Sequence, residues 1–99
     1  MNQNYKAIAE INKKQLIPLL EEEKWLNEIL EKDKKANDRK GYWATKQLLD
    51  RCKEKIRIIK NIIFGQADYF EKEDTKQAEI GHNFNFERKQ FLKDCGVEE

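Results

Sequence analysis

Five consecutive residues, Arg39-Lys40-Gly41-Tyr42-Trp43, put two cations and two aromatic rings beside the expected start of a helix. A helix start presents unpaired N–H groups, so this combination suits an anion such as a nucleotide or a phosphorylated ligand. Downstream, Lys46, Lys53, Arg57 and Lys60 fall on one ridge of the helical wheel, with Arg39 and Lys40 at its N-terminal end. Such a strip could track the phosphates of a nucleic acid, with Tyr42 and Trp43 as stacking surfaces for bases. Each feature has a plainer alternative. Aromatic rings at helical spacing commonly serve the core, so Tyr42 and Trp43 would cap the apolar seam at the end of a helical pair. The lysines would face Glu21, Glu22, Glu28 or Glu31 of a neighbouring helix, or the acidic C-terminal region, as flanking charges do in paired helices. A pI near 7.7 and a scarcity of arginines to read base edges favour the pairing alternative.

Other chemistry is scarce. The chain has no serine and one histidine, His82, so a Ser-His-Asp site is excluded. His82 lies between Gly81 and Asn83, in a segment expected to be a break between helices, and neither Cys52 nor Cys95 has a catalytic signature beside it. There is no CxxC, HExxH, GxGxxG or GxxxxGK[ST], which leaves no legible metal site and no phosphate-cradling loop. The expectation is a non-enzymatic protein with no cofactor and no metal. The longest apolar run, Ile62-Ile63-Phe64, is far below the roughly 20 residues needed to span a bilayer. With no hydrophobic leader visible at Met1-Asn2-Gln3-Asn4-Tyr5-Lys6, the expected compartment is the cytoplasm, where cysteines stay reduced.

These groups must be positioned by helices. Strand signals are almost absent: the chain has one valine, Val97, and apolar alternation only at Phe84-Asn85-Phe86. The clearest pattern spans residues 42–70, where Tyr42, Thr45, Leu49, Cys52, Ile56, Ile59, Ile63, Gln66 and Phe70 alternate steps of three and four for four heptads. Leu48, Ile62 and Tyr69 repeat every seven on the flank and Ile58 lies beyond them, so the apolar sector is wider than one partner helix covers. Upstream, Leu16, Leu19, Leu20, Leu26 and Leu30 form a stripe over 13–32, with Asn12 and Gln15 spaced as a capping box. Pro18 implies a bend or a fresh start, so a separate helix over 3–11, carrying Tyr5, Ile8 and Ile11, is expected before it. Residues 33–41 read as a polar loop and 71–84 as weakly ordered. A short helix over 85–95, capped by Asn83 or Asn85 and ended by Gly96, carries Phe86, Phe91 and Leu92. The two main helices, about 30 and 43 Å long at 1.5 Å per residue, are expected to pair side by side.

The result is one domain over 1–99. It is all-α, an antiparallel helical hairpin extended to a three- or four-helix bundle with coiled-coil-like packing. Its net charge of +1 hides a basic centre, since residues 32–60 carry 11 positive and 4 negative groups between two acidic ends. Trp25 and Ile29 lie off the leucine stripe and Trp25 is placed as an interface anchor, unless it packs on a terminal helix. With Ile58, Ile62 and Tyr69 they make the candidate protein interface. No family motif is present. The size, helical pattern and lack of catalytic groups are similar to those of phage-encoded inhibitors, nucleotide-sequestering helical proteins, bacteriocin immunity bundles and small phage accessory proteins, a likeness of class only. The expected function is a protein-interaction module acting on itself as a homo-oligomer or on a protein partner. The alternative is a nucleic-acid- or nucleotide-binding protein using Arg39, Lys40, Tyr42, Trp43, Lys46, Lys53, Arg57 and Lys60. No membrane role is expected.

Overall fold

The computed structural model describes residues 3–79 and 86–97, and every regular element in them is a helix: α1 (Gln3–Lys35), α2 (Arg39–Glu79) and α3 (Arg88–Asp94). The protein is all-α. At 1.5 Å per residue the 33 residues of α1 reach about 50 Å and the 41 of α2 about 60 Å, which accounts for the long dimension of a body measuring 64 × 18 × 16 Å. The residues that meet across the two helices run in opposite order along them. Asn12 meets Gln66, Leu19 meets Cys52 and Asp33 meets Thr45.

The break expected between 3–11 and 13–32 is absent, and one helix runs through Pro18. Proline removes a single backbone N–H, the one that would bond to the Lys14 carbonyl. Both residues are exposed, so water can satisfy that carbonyl, while Leu16 and the half-buried Ile17, Leu19 and Leu20 hold the flanking turns against their neighbours. Asn12 is not a cap. It is 5% exposed and its amide Nδ2 donates to Gln66 Oε1 at 2.7 Å and to Cys95 Sγ at 3.6 Å, tying all three chain regions together.

The expected nine-residue loop over 33–41 contracts to Ala36, Asn37 and Asp38. Asn37 takes a left-handed φ of 55°, its N–H donates to the Lys34 carbonyl at 3.3 Å, and the Asp38 N–H reaches the Asp33 carbonyl at 3.0 Å. That double closure satisfies the last carbonyls of α1. Asp38 then starts α2, its Oδ1 accepting the Gly41 N–H at 3.0 Å, as an N-cap does at the third helical residue. A Cβ at Gly41 would lie 2.5 Å from the same carboxylate, so glycine there leaves the cap room.

α2 also continues past 70, where weak order was expected, through Glu79; residues 80–84 of that stretch lie outside the described residues. Its inner face still has something to cover there: the Tyr5 ring meets Phe70 at a tilt at 4.8 Å and Phe86 edge to face at 5.0 Å, and Phe91 closes the group at 5.6 Å from Phe70. α3 is shorter than the expected 85–95. The candidate caps Asn83 and Asn85 lie outside the described residues, and Glu87 occupies the cap position without a side-chain bond. It ends as α1 does. Gly96 has φ 86°, its N–H meets the Lys93 carbonyl and the Val97 N–H meets Leu92, which buries Val97 with Phe91, Leu92 and Cys95. Arg88 pins the outer side of α3 to α2 through Asp68 Oδ1 at 2.5 Å and Glu71 Oε2 at 3.4 Å.

Candidate functional site

The Arg39-to-Trp43 cluster sits at the turn between α1 and α2, where Asp33, Lys34, Asn37, Asp38, Arg39, Tyr42 and Trp43 line an open depression of about 230 Å³. Two of the N–H donors at this helix start, those of Gly41 and Tyr42, are already engaged. Asp38 gives its carboxylate to Gly41 and its backbone carbonyl to the Tyr42 N–H at 2.9 Å. A second carboxylate, Asp33, accepts the Thr45 hydroxyl at 3.0 Å. The two acids offset Lys34 and Arg39, which line the same depression, so the basic character expected of this cluster is balanced at the helix start. Tyr42 is half-buried and meets Trp43 edge to face at 6.3 Å, whereas Trp43 is 63% exposed and does not cap the core.

The basic ridge is real as a geometric feature, and among the described residues its lysines form no ion pair with the acids of α1. Among the described residues the ion pairs are Arg57 with Glu54, Lys76 with Glu73, and Arg88 with Asp68 and Glu71. None joins α1 to α2. Arg57 is held by its own helix, and its hydrogen bond holds the Glu54 carboxyl below the usual carboxylate range. Lys46 and Lys60 are half-buried and Lys53 is exposed, with no acid of Glu21, Glu22, Glu28 or Glu31 within ion-pair distance.

The larger feature is apolar. Of the large hydrophobic side chains left exposed, Leu48, Ile58, Ile62 and Tyr69 lie on one flank of α2, and Ile11 and Trp25 on one flank of α1, where the half-buried Ile29 joins them. Their spacing explains the alignment. On α2 the positions 48, 51, 55, 58, 62, 65 and 69 alternate steps of three and four, as do 11, 15, 18, 22, 25 and 29 on α1, so each set forms one helical stripe beside the buried seam. The opposite flank is marked by α3, which reaches Asp68 and Glu71 of α2 and is followed by Gly96, which faces Ile17 of α1. Both stripes therefore lie on the side away from α3. Trp25 is 59% exposed and Ile62 53%, so neither packs on a terminal helix. Gly65 lies in the stripe, and a Cβ there would meet nothing within 4 Å. A mid-helix glycine costs about 0.5–1 kcal/mol relative to alanine, and no neighbour among the described residues requires it.

The two thiols are core groups. Cys52 Sγ donates to the Leu19 carbonyl at 3.3 Å, and burial pushes both Cys52 and Cys95 above the usual thiol value, which suppresses nucleophilic thiolate. Among the described residues no three His, Cys, Asp or Glu side chains gather to hold a metal ion, and no helix is long and apolar enough to cross a membrane. His82 lies outside the described residues. Sequence reasoning placed Trp25, Ile29, Ile58, Ile62 and Tyr69 individually but not their common side. It missed Ile11 as a member, and it missed Asp38 as the group occupying the anion position, although Asp three residues before Gly41 is itself a capping signal.

No protein-family model matches the chain, no curated protein matches it in sequence and no solved structure matches it in fold.

Proposed function

We propose that this protein works by binding another polypeptide, without catalysis, through the apolar stripe shared by α1 and α2. In this proposal α1 and α2 form an antiparallel hairpin with coiled-coil-like packing, closed on one side by α3 and left open on the other for the partner. The observation that carries it is the alignment of Ile11, Trp25, Leu48, Ile58, Ile62 and Tyr69 on the side that α3 does not cover. Scattered exposed apolar residues are ordinary, but large ones aligned on one side of a molecule mark an interaction surface. Inhibitors and accessory factors of phage or mobile elements act in this way, by occupying a surface of a target.

Affinity capture from the source cell, with and without nuclease, tests the proposal on wild type beside Ile58→Asp/Ile62→Asp. A protein partner that survives nuclease and is lost with the variant supports it. Capture that is unchanged by the variant contradicts it.

A second proposal rests on the lysines of the ridge, which form no ion pair among the described residues. Lys46, Lys53 and Lys60 would then track a nucleic-acid backbone. Binding to a mixed-sequence oligonucleotide that weakens linearly in log K against log salt, and that is abolished by charge reversal at Lys53 and Lys60, is the expected signature.

A further inference from the structure

The apolar stripe carries three charges near its middle, and they are arranged to complement themselves. Glu22 is the acid of the α1 stripe, and Arg51 and Lys55 are the bases of the α2 stripe. Opposite order along the helices brings them to one level. Both Glu22 and Lys55 act electrostatically on the Cys52 thiol, which itself bonds to the Leu19 carbonyl. Yet all three side chains are exposed, and none forms an ion pair among the described residues. The remaining members of the two stripes are mostly large apolar groups, with Gly65 leaving room for close approach.

We infer that the occupant of this face is a second copy of the chain, packed about a two-fold axis running along the helices, so that each Glu22 meets the partner's Arg51 and Lys55. This rests on the proposed docking role of the stripe and names its occupant. The symmetry follows from the layout. Rotation about the long axis lays each α1 over the partner's α2 at an unchanged level, which is what an isologous contact requires. Trp25 and Ile29 then lie over the partner's Leu48, Pro18 over the partner's Ile58, and Ile11 over the partner's Ile62 and Gly65. A foreign partner would need the matching charge order by coincidence, whereas a second copy carries it by construction. Rotation about the perpendicular axis instead sets α1 on α1 and brings Glu22 onto no base. One polar layer in an otherwise apolar contact also fixes register, as polar positions do in coiled coils.

The test is sedimentation equilibrium on four samples, each checked for wild-type helicity by circular dichroism. Wild type is expected at twice 11.9 kDa. Glu22→Lys alone, whose stripe is all basic, and Arg51→Glu/Lys55→Glu alone, whose stripe is all acidic, are each expected to dissociate at concentrations at least ten-fold higher than wild type. Mixed in equal amounts, the two variants are expected to form a heterodimer. A wild type that stays monomeric overturns the second copy as occupant. So do variants that dimerise as well as wild type, or a mixture that fails to associate. The docking role itself is judged separately: a monomer whose captured partner is lost with Ile58→Asp/Ile62→Asp refutes only the second copy, while capture indifferent to that variant removes both.

Discussion

Asn12 and Gln66, 54 residues apart in sequence, share a 2.7 Å hydrogen bond inside the seam between the two long helices. The same Asn12 amide reaches Cys95 beyond α3, so one buried polar group reads the position of all three elements. This amide pair specifies register because slipping the helices by one turn would leave the buried Asn12 without its partner in an apolar setting.

Removing half of that pair is expected to cost more than removing all of it. Asn12→Ala strands the Gln66 amide and should lower stability by about 1–3 kcal/mol in urea denaturation. Asn12→Leu/Gln66→Leu replaces both groups with apolar ones and should lie near wild type or above it, at the expense of a unique register. Equal losses in the two variants would contradict this role.

Pro18→Ala restores a backbone hydrogen bond in the middle of an exposed helical turn. A proline in a helix interior is about 3 kcal/mol worse than alanine, partly offset by its stiffening of the unfolded chain, so the variant should gain about 2 kcal/mol. A loss of stability would mean that the proline bends α1 for a purpose the continuous helix does not reveal.

Much of this architecture was legible in the sequence, and the misses have physical causes. The stripe from Tyr42 to Phe70 was read because four heptads leave little ambiguity about period. Pro18 misled because its penalty is local, while Leu16, Leu19 and Leu20 anchor the turns around it to a long seam. Asn12 misled because a polar residue next to an apolar stripe looks the same whether it caps a helix or pairs inside one; only the distant Gln66 decides. Residues 71–79 lack a strong apolar stripe of their own, and their helix persists beside Tyr5 and Phe70, a contact made across the chain. The sidedness of Ile11 and Trp25 depends on where α3 docks, which no periodicity within α1 encodes.

α3 should be held by its buried side chains and not by its ion pairs. Arg88 bridges Asp68 and Glu71 at the surface, and the loss of so exposed a network in Arg88→Ala should cost under about 1 kcal/mol. Phe91 is fully buried among Phe70 and Phe86, and Phe91→Ala should cost about 3–5 kcal/mol. Hydrogen exchange of the α3 amides gives the local readout: protection should nearly vanish in the phenylalanine variant and persist in the arginine one.

Alkaline pH should destabilise the fold through its buried acids. Burial raises the Cys52 and Cys95 thiols above 9.0 and the Tyr5 phenol above 10.0, so the folded state holds these protons more tightly than the unfolded chain does. Their contribution is complete below about pH 9 and is lost as pH climbs through the raised values. The urea midpoint should therefore be level from pH 7 to 8.5 and fall above 9, more gently in Cys52→Ala/Cys95→Ala. A midpoint that rises above pH 9 would contradict stabilisation by the protonated thiols and phenol.

Trp25 offers the most direct test, because it lies in the docking stripe while Trp43, equally exposed, lies at the turn. In a Trp43→Phe chain, acrylamide quenching of Trp25 should fall as protein concentration rises from nanomolar to high micromolar. In a Trp25→Phe chain, quenching of Trp43 should stay constant over the same range. Trp25 quenching that does not change across that range, or on addition of any protein recovered by affinity capture, would contradict the claim that this face is where the protein binds.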